Sequence, residues 1–193
     1  MASEVQICNL ALAKVGEEQI TSLGEDSKVA RLCNLVYEPQ RDAVLRAHPW
    51  NFAVYRENLA LDTTAPAYEY SSRFALPTDF LRLLGTNMLD TSEFVIESGY
   101  ILCDESSLIA KFIKRVTDAN QFDWLFIECL SAKIAAELAI AIADNRALSV
   151  DLFNLYKVKL AEARSTDAQE GTPQNLIADT WLNARQSAVG TVS

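Results

Sequence analysis

The chain has 193 residues, 50% of them hydrophobic, and its 26 acidic and 17 basic side chains give a formal net charge of -9. This length and apolar content are enough for one substantial domain, or for one domain with an insertion, and they argue against disorder over most of the chain. The excess of acid argues against a surface that holds nucleic acid through many phosphate contacts, because like charges repel. The composition is compatible with a surface past which DNA slides without sticking, and equally with an ordinary acidic protein.

Sites for metals, cofactors and membranes are not expected. The four cysteines are Cys8, Cys33, Cys103 and Cys129. They lie far apart without a CxxC pair, so we predict buried free thiols of a protein that folds in a reducing compartment, and no metal site. No phosphate loop, dinucleotide fingerprint or GxSxG motif is present. The first residues lack the basic region of a secretory signal, and the longest charge-free apolar run, Leu138 to Ala143, is far shorter than the roughly 20 residues of a membrane helix.

The first predicted helix runs from Glu4 to about Val15. Ser3 and Gln6 form a capping box at its start, and Gly16 suits the left-handed position that follows a helix. Apolar residues recur at helical spacing between these two signals.

A second helix is predicted after the turn-like ITSLGEDS, with Asp26 or Ser27 as its cap. Its apolar stripe consists of Val29, Leu32, Cys33, Val36, Ala43, Val44 and Ala47. Pro39 interrupts that stripe. Because a proline inside a helix costs about 3 kcal/mol or more, we expect a kink or a break there.

The sequence HPWN, which begins at His48, is predicted to be a structural joint. Pro49 biases His48 away from the helical region, so the second helix should stop there and the chain should continue from Trp50 in an extended conformation. We expect Trp50 and Phe52 to pack against the end of the second helix. His48 is interpreted as an end-of-helix residue rather than a catalytic base, because no candidate nucleophile lies beside it in the sequence.

Short β-rich runs follow between Tyr68 and Val116. They are YEYSSRFAL, FLRLLGTNM, EFVIESGYILC and SLIAKFIKRV. Pro77 and Gly85 separate some of these runs, and the pair Ser98 and Gly99 predicts a tight hairpin turn.

The helical pattern returns near Phe122. A third helix is predicted to about Ala143, and its all-apolar end indicates either the centre of a bundle or a contact with neighbouring subunits. Ser149 can cap a fourth helix, which the GTP sequence at residues 171–173 should close. The apolar stripe of the fourth helix is Phe153, Tyr156, Leu160 and Ala163. A short final helix would begin at Thr172 and place Ile177, Trp181 and Ala184 on one face.

The predicted fold is therefore mainly α: an antiparallel helical bundle with a small β-rich insertion. Residues 1–49 and 118–170 form the bundle in this interpretation, and residues 50–117 form the insertion. Residues 171–193 form a C-terminal arm that docks on another protein.

Carboxylates are the groups that could support an enzyme, since glycoside hydrolysis needs two of them a few ångströms apart. Glu17 and Asp26 are spaced like the glutamate and aspartate of phage lysozymes, but the threonine that follows in that family is replaced here by Leu32. With 26 acidic residues in the chain, pairs at this spacing arise by chance. We therefore expect no catalytic, cofactor-binding or metal-binding residue and read the chain as a protein without enzymatic activity.

Several stretches, taken in order, resemble the head-to-tail adaptor proteins of short-tailed and related bacteriophages, often named tail tubular protein A. The matching stretches are ICNLALAKVGEEQITSLGEDSKVARLCNLVYEPQRDAVLRAHPWNFA, LPTDFLRLL, RVTDANQFDWLFIECLSAKIAAELA, LYKVKLAEARSTDAQEGTPQ and WLNAR. They cover most of the chain, and the β-rich middle is the loosest part.

The resemblance implies a virion protein, made in the bacterial host cytoplasm, that forms a ring of often about twelve copies at the head-tail junction. Its partners would be the portal protein, tail or nozzle proteins and copies of itself, while DNA passes through the ring without specific binding. The C-terminal segment of this family reaches towards the portal. By that analogy Ile177, Trp181 and Arg185 would form the portal interface, whereas Pro49, Trp50 and Phe52 form the joint.

Two alternatives remain open at this point. Some relatives are reported as cell-wall hydrolases, so a tail-associated peptidoglycan hydrolase is the second hypothesis. The third is a monomeric helical protein of unknown role.

Overall fold

The computed structural model describes residues 2–89 and 92–170, which contain four α-helices and six strands. In chain order these are α1 (Glu4–Val15), α2 (Lys28–Ala47), β1 (Val54–Asn58), β2 (Ser72–Ala75), β3 (Phe80–Thr86), β4 (Phe94–Glu97), β5 (Tyr100–Cys103), β6 (Ile109–Lys114), α3 (Trp124–Ala141) and α4 (Arg146–Glu170). Two short 3₁₀ turns, Asn51–Ala53 and Ala119–Gln121, lead into β1 and α3.

The predicted ends of α1 are confirmed. The Ser3 hydroxyl accepts a hydrogen bond from the Gln6 N–H at 3.1 Å, which satisfies one of the free donors in the first turn. Gly16 follows the helix with φ 86, and its N–H donates to the carbonyl of Leu12. A side chain in this left-handed conformation would be strained, so a glycine is the natural residue there.

Helix α2 runs through Pro39 without a break, contrary to one of the two outcomes expected at that residue. Pro39 lies on the exposed side of the helix, where water can bond the carbonyl that loses its N–H partner. Buried Cys33 and Tyr37 before it, and Val44 and Leu45 after it, anchor both halves to the same core. The helix stops at His48, whose extended φ of -144° confirms the expected effect of Pro49.

The start of α4 differs from the prediction. The helix begins at Arg146, and the Asn145 side chain caps it by accepting from the Leu148 N–H at 3.0 Å. Ser149 lies inside the helix instead and donates its hydroxyl to the carbonyl of Ala136 at 2.7 Å. The predicted closing sequence at 171–173 lies outside the described residues.

The strands form two antiparallel three-stranded sheets. Sheet A has the order β1-β6-β3 and sheet B the order β2-β5-β4. Strands β4 and β5 form the predicted hairpin, with Ser98 at φ 51 and Gly99 at φ 82. The inner faces of the sheets pack on each other through Phe112 of sheet A and Phe74 and Ile101 of sheet B, all fully or almost fully buried.

A larger core joins the helices to sheet A. Helix α3 lies at its centre and packs against α1, α2 and α4. Leu130, Ile134 and Leu138 of α3 are fully buried. Ile113 of β6 and Leu81 of β3 belong to the same core, so the outer face of sheet A is covered by helices near one end of its strands.

The predicted fold class was wrong. The protein is 48% helical and 19% strand and has an α+β fold with two sheets, rather than a mainly helical bundle with a small insertion. Strand β6 lacks the alternation of apolar and polar residues that marks a strand with one solvent-exposed face. Its residues Ala110, Phe112 and Ile113 are all buried, and they lie on both faces of sheet A. The extended exit from the joint was also wrong in part, because Asn51–Ala53 form a 3₁₀ turn.

Candidate functional site

The aromatic joint lies where α2 ends and the chain turns towards sheet A. Trp50 is 2% exposed, and its indole N–H donates to the carbonyl of Val44 at 3.0 Å. Its ring meets the ring of Phe126 edge-on at 5.1 Å, and Phe52 packs on the same phenyl ring at 5.3 Å. Trp50 and Phe52 thus connect the end of α2 to α3, while Pro49 sets the direction in which the chain leaves.

His48 pairs with a residue that the sequence did not indicate. The distance between His48 Nε2 and Asp167 Oδ2 is 2.6 Å, and the two residues are 119 positions apart. Arg164, one turn earlier in α4, donates to the carbonyl of Ala47 at 2.9 Å. The last turns of α4 are therefore held on the end of α2.

The His48 and Asp167 pair has the form of two members of a catalytic triad, but its surroundings favour a structural role. Within residues 2–89 and 92–170, no serine, threonine or cysteine hydrogen-bonds to His48. The imidazole instead lies edge-on against the Trp50 ring at 5.1 Å. The surface cavity beside Asp167, of about 250 Å³, is lined by no serine, threonine or cysteine; its other lining residues are Trp50, Asn51, Phe52, Gln121, Phe122 and Asp123.

A second pair, Lys14 and Ser131, joins α1 to α3. The ammonium of Lys14 donates to the Ser131 hydroxyl at 3.0 Å and to the carbonyl of Leu10 at 3.3 Å. Burial lowers the pKa of Lys14, while the carboxylate of Glu128 acts in the opposite direction. Serine and lysine pairs serve in some hydrolases, but Ser131 is 0% exposed and donates its own proton to the carbonyl of Glu128. A substrate therefore cannot reach this hydroxyl, and the pair secures α1 on the core.

The carboxylates that sequence spacing singled out lie in the loop between α1 and α2. The side chain of Asp26 is 98% exposed and forms an ion pair with Arg31 at 2.5 Å. Between Glu17 and Asp26, Glu25 orders the loop by accepting from both the N–H and the hydroxyl of Thr21 at 3.0 Å. A glycosidase holds its two carboxylates a few ångströms apart across the substrate, whereas Asp26 points into solvent and pairs with Arg31.

A groove of about 460 Å³ lies on the outer face of sheet B. Tyr68, Tyr70 and Tyr100 line it, and Tyr68 is 82% exposed. The guanidinium of Arg73 lies over the Tyr100 ring at 4.7 Å and forms an ion pair with Asp62 at 3.0 Å. Because the only lining arginine is already paired, the charge of this groove comes from its acids.

Five carboxylates surround the groove and an adjoining cavity of about 360 Å³. We call them the acidic face of sheet B: Glu69, Glu93, Glu97, Asp104 and Glu105. Partial loss of hydration and then the charges of neighbouring carboxylates, Glu69 and Glu93 first among them, raise the pKa of Tyr70. Glu69 itself has φ 73, a left-handed conformation that is uncommon for a residue with a side chain. None of the five forms an ion pair with another described residue.

Among residues 2–89 and 92–170, no group of three or more histidine, cysteine, aspartate or glutamate side chains could hold a metal ion. In the same part of the chain, no helix combines the length and apolarity needed to cross a membrane. The predicted portal interface, Ile177, Trp181 and Arg185, lies outside the described residues, as does the whole segment 171–193.

Comparison of the sequence with models of protein families and with curated proteins found no match.

Proposed function

We propose that this chain is a structural virion protein, a head-to-tail adaptor that forms a ring between the portal and the tail and has no catalytic role. The proposal begins from the ordered resemblance described above. The structural observation that carries it furthest is a pair of exposed apolar side chains on α4, Val150 and Val158, that no part of the described chain covers.

These two valines lie on the side of α4 that faces away from the core. Leu152, Tyr156, Leu160 and Ala163 form the buried side of the helix, which packs on α3. Val150 and Val158, eight positions apart and so on one side of the helix, are 54% and 63% exposed. Leu35 on α2 and Ile140 at the end of α3 are also more than half exposed. Apolar side chains that recur on one helix face are typical of a surface that another protein covers.

The composition of the chain suits a ring through which DNA passes. A net charge of -9 keeps the duplex from adhering to the wall of a channel. A hydrolase would need two enclosed carboxylates, whereas the side chain of Asp26 is almost fully exposed. The exposed valines of α4 and the acidic charge fit an adaptor, whereas the exposed Asp26 does not fit a hydrolase.

The decisive experiment combines the full chain with the portal ring of the same virus and images the mixture by negative-stain electron microscopy. We expect an additional ring stacked on the portal. The double variant Val150→Asp with Val158→Asp should lose this assembly because a charge would be buried in the contact. Ala13→Asp, at an exposed position of α1, serves as the control and should still assemble. Failure of the unaltered chain to bind the portal at any concentration would overturn the proposal.

A further inference from the structure

The two outer faces of the stacked sheets carry opposite charge. On sheet A, Arg56 lies directly opposite Lys111 in the register of β1 and β6. Arg82 of β3 pairs with Ile113, which is two positions from Lys111 and therefore on the same face of the sheet. We call Arg56, Arg82 and Lys111 the basic face of sheet A. The residues that alternate with these along the strands, such as Phe112, lie on the inner face of sheet A and pack against sheet B.

This basic face carries uncompensated charge. Within the described ranges, none of its three cations forms an ion pair. The carboxylate of Glu57, next in sequence to Arg56, lies on the other face, where it raises the pKa of Lys114 together with the nearer Asp79, the main cause. Like charges directly opposite on neighbouring strands destabilise a sheet, so the Arg56 and Lys111 pair is unfavourable within one copy.

The acidic face of sheet B points in the opposite direction. Phe74, Ile101 and Ile96 align across sheet B, and Phe74 and Ile101 pack inward on sheet A. Glu97 belongs to the alternate set, opposite Tyr100, and so faces outward. Glu93 precedes inward Phe94, and Asp104 follows inward Cys103, which places both on the outer side by the same alternation.

We propose that the basic face of sheet A in one copy binds the acidic face of sheet B in the next copy, so that copies associate head to tail. A two-fold contact would bring like charges together, basic on basic or acidic on acidic, and is disfavoured for that reason. A heterologous contact between unlike faces pairs opposite charges. It leaves one basic face and one acidic face unoccupied at the two ends, where further copies can bind. Repeated by a rotation that closes, this contact makes a ring, and in that respect the inference rests on the proposed function.

Nucleic acid is a poorer occupant of the basic face than a second copy. Proteins that hold a duplex through its backbone make roughly 6 to 10 phosphate contacts, whereas this face offers three cations on a chain of net charge -9. The chain itself carries the complementary surface, with Glu93, Glu97 and Asp104 on the outer side of sheet B and without an ion pair among the described residues.

Zero-length carbodiimide cross-linking of the full chain tests the contact directly. The reagent joins the Lys111 amine to a carboxylate as an amide, and the carboxylate oxygen that is lost leaves on the reagent as a urea. A mixture of ¹⁴N-labelled and ¹⁵N-labelled chains, with and without the portal ring, identifies links between copies by mass spectrometry. We expect mixed-isotope links from Lys111 to the acidic face of sheet B. Their absence at concentrations where the chain associates would overturn the proposal.

Charge reversal provides a second test, in which each variant alone loses self-association and a mixture of the two recovers it. Arg56→Glu with Lys111→Glu gives a copy whose two faces are both acidic, and Glu69→Lys with Glu93→Lys and Glu97→Lys gives a copy whose two faces are both basic. Each variant alone should associate about tenfold or more weakly in sedimentation experiments, and an equimolar mixture of the two should recover association. Lys28→Glu and Glu18→Lys, exposed positions away from both faces, are the matched controls. Circular dichroism verifies that each variant is folded.

The outcomes separate this contact from the adaptor function. If the chain and both variants assemble on the portal equally well, the contact is wrong and the adaptor function stands. If the cross-links and the recovery are found but no portal binds, the contact stands and the adaptor function fails. If a labelled DNA duplex binds the chain and Arg56→Glu with Lys111→Glu abolishes that binding while self-association is unchanged, the basic face serves nucleic acid and the proposal is overturned.

Discussion

His48 and Asp167, 119 positions apart, meet with 2.6 Å between Nε2 and Oδ2 at the point where the helices give way to the sheets. Their side chains are 13% and 17% exposed, so the contact is largely shielded from water. The pair ties the last turns of α4 to the end of α2, directly beside the buried ring of Trp50. The pair therefore fixes the last turns of α4 at the joint.

Replacing Asp167 by asparagine should lower the free energy of unfolding by about 1 kcal/mol or more, because a shielded, charge-assisted hydrogen bond is lost. Urea unfolding followed by circular dichroism measures the change. Asp151→Asn, at an exposed position of the same helix, is the control and should stay within about 0.5 kcal/mol of the unaltered chain. Equal stability of the two variants would show that the pair does not hold α4.

Replacing Trp50 by alanine should cost about 3 kcal/mol or more, since it removes a buried indole and leaves a cavity between α2 and α3. Trp50→Phe should cost less, through loss of the hydrogen bond to Val44 and part of the packing. The matched control is Trp124→Ala, because the Trp124 side chain is 57% exposed. Thermal unfolding distinguishes the three variants, and an unchanged melting curve for Trp50→Ala would contradict the anchoring role of the joint.

The burial of Lys14 should make the stability of the protein depend on pH in the alkaline range. Burial lowers the pKa of Lys14 in the folded chain below its ordinary value of 10.5. Between these two values the unfolded chain binds more protons, so the contribution of Lys14 to the free energy of unfolding rises with pH and is complete above 10.5. In Lys14→Met this rise is missing.

The difference in the free energy of unfolding between the unaltered chain and Lys14→Met, measured in urea at several pH values, isolates this effect from other groups that titrate in alkali. We expect the difference to move in favour of the unaltered chain as the pH rises towards 10.5. A difference that does not depend on pH would show that the ammonium of Lys14 is well hydrated in the folded state.

Purified protein should leave peptidoglycan intact. The reason is that Asp26 is almost fully exposed and paired with Arg31, so it does not face a second carboxylate across an enclosed site. A turbidity assay on isolated cell walls, with a phage lysozyme as the positive control, measures the activity. Clearing that Glu17→Gln abolishes would establish the hydrolase function instead.

Deleting the residues after Thr172 should leave the thermal unfolding of the remaining chain nearly unchanged, because residues of the described part, 2–89 and 92–170, form both hydrophobic cores with each other. The same deletion should abolish assembly on the portal, if Ile177, Trp181 and Arg185 form the interface. Electron microscopy of the truncated chain mixed with the portal checks the second expectation. Normal assembly, or a much lower melting temperature, would show that the segment does not dock on the portal.

The sequence by itself determined the local features of this protein. Ser3 and Gly16 set the ends of α1, Pro49 stops α2 at His48, and Ser98 with Gly99 makes the hairpin, since each of these acts through backbone geometry within a few residues. The tertiary structure alone decided how the strands pair, which made the fold α+β. Alternation in β6 was lost because Phe112 faces sheet B while Ile113 faces the helices, and both faces are dry.

The partners of the side chains were likewise beyond the sequence. Asp167 meets His48, and Ser131 meets Lys14, across separations of 119 and 117 positions, and such contacts depend on where whole elements pack. The opposite charges of the two outer sheet faces arise in the same way. Arg56 and Lys111 lie far apart in the chain, and only the register of β1 and β6 places their charges side by side on one face.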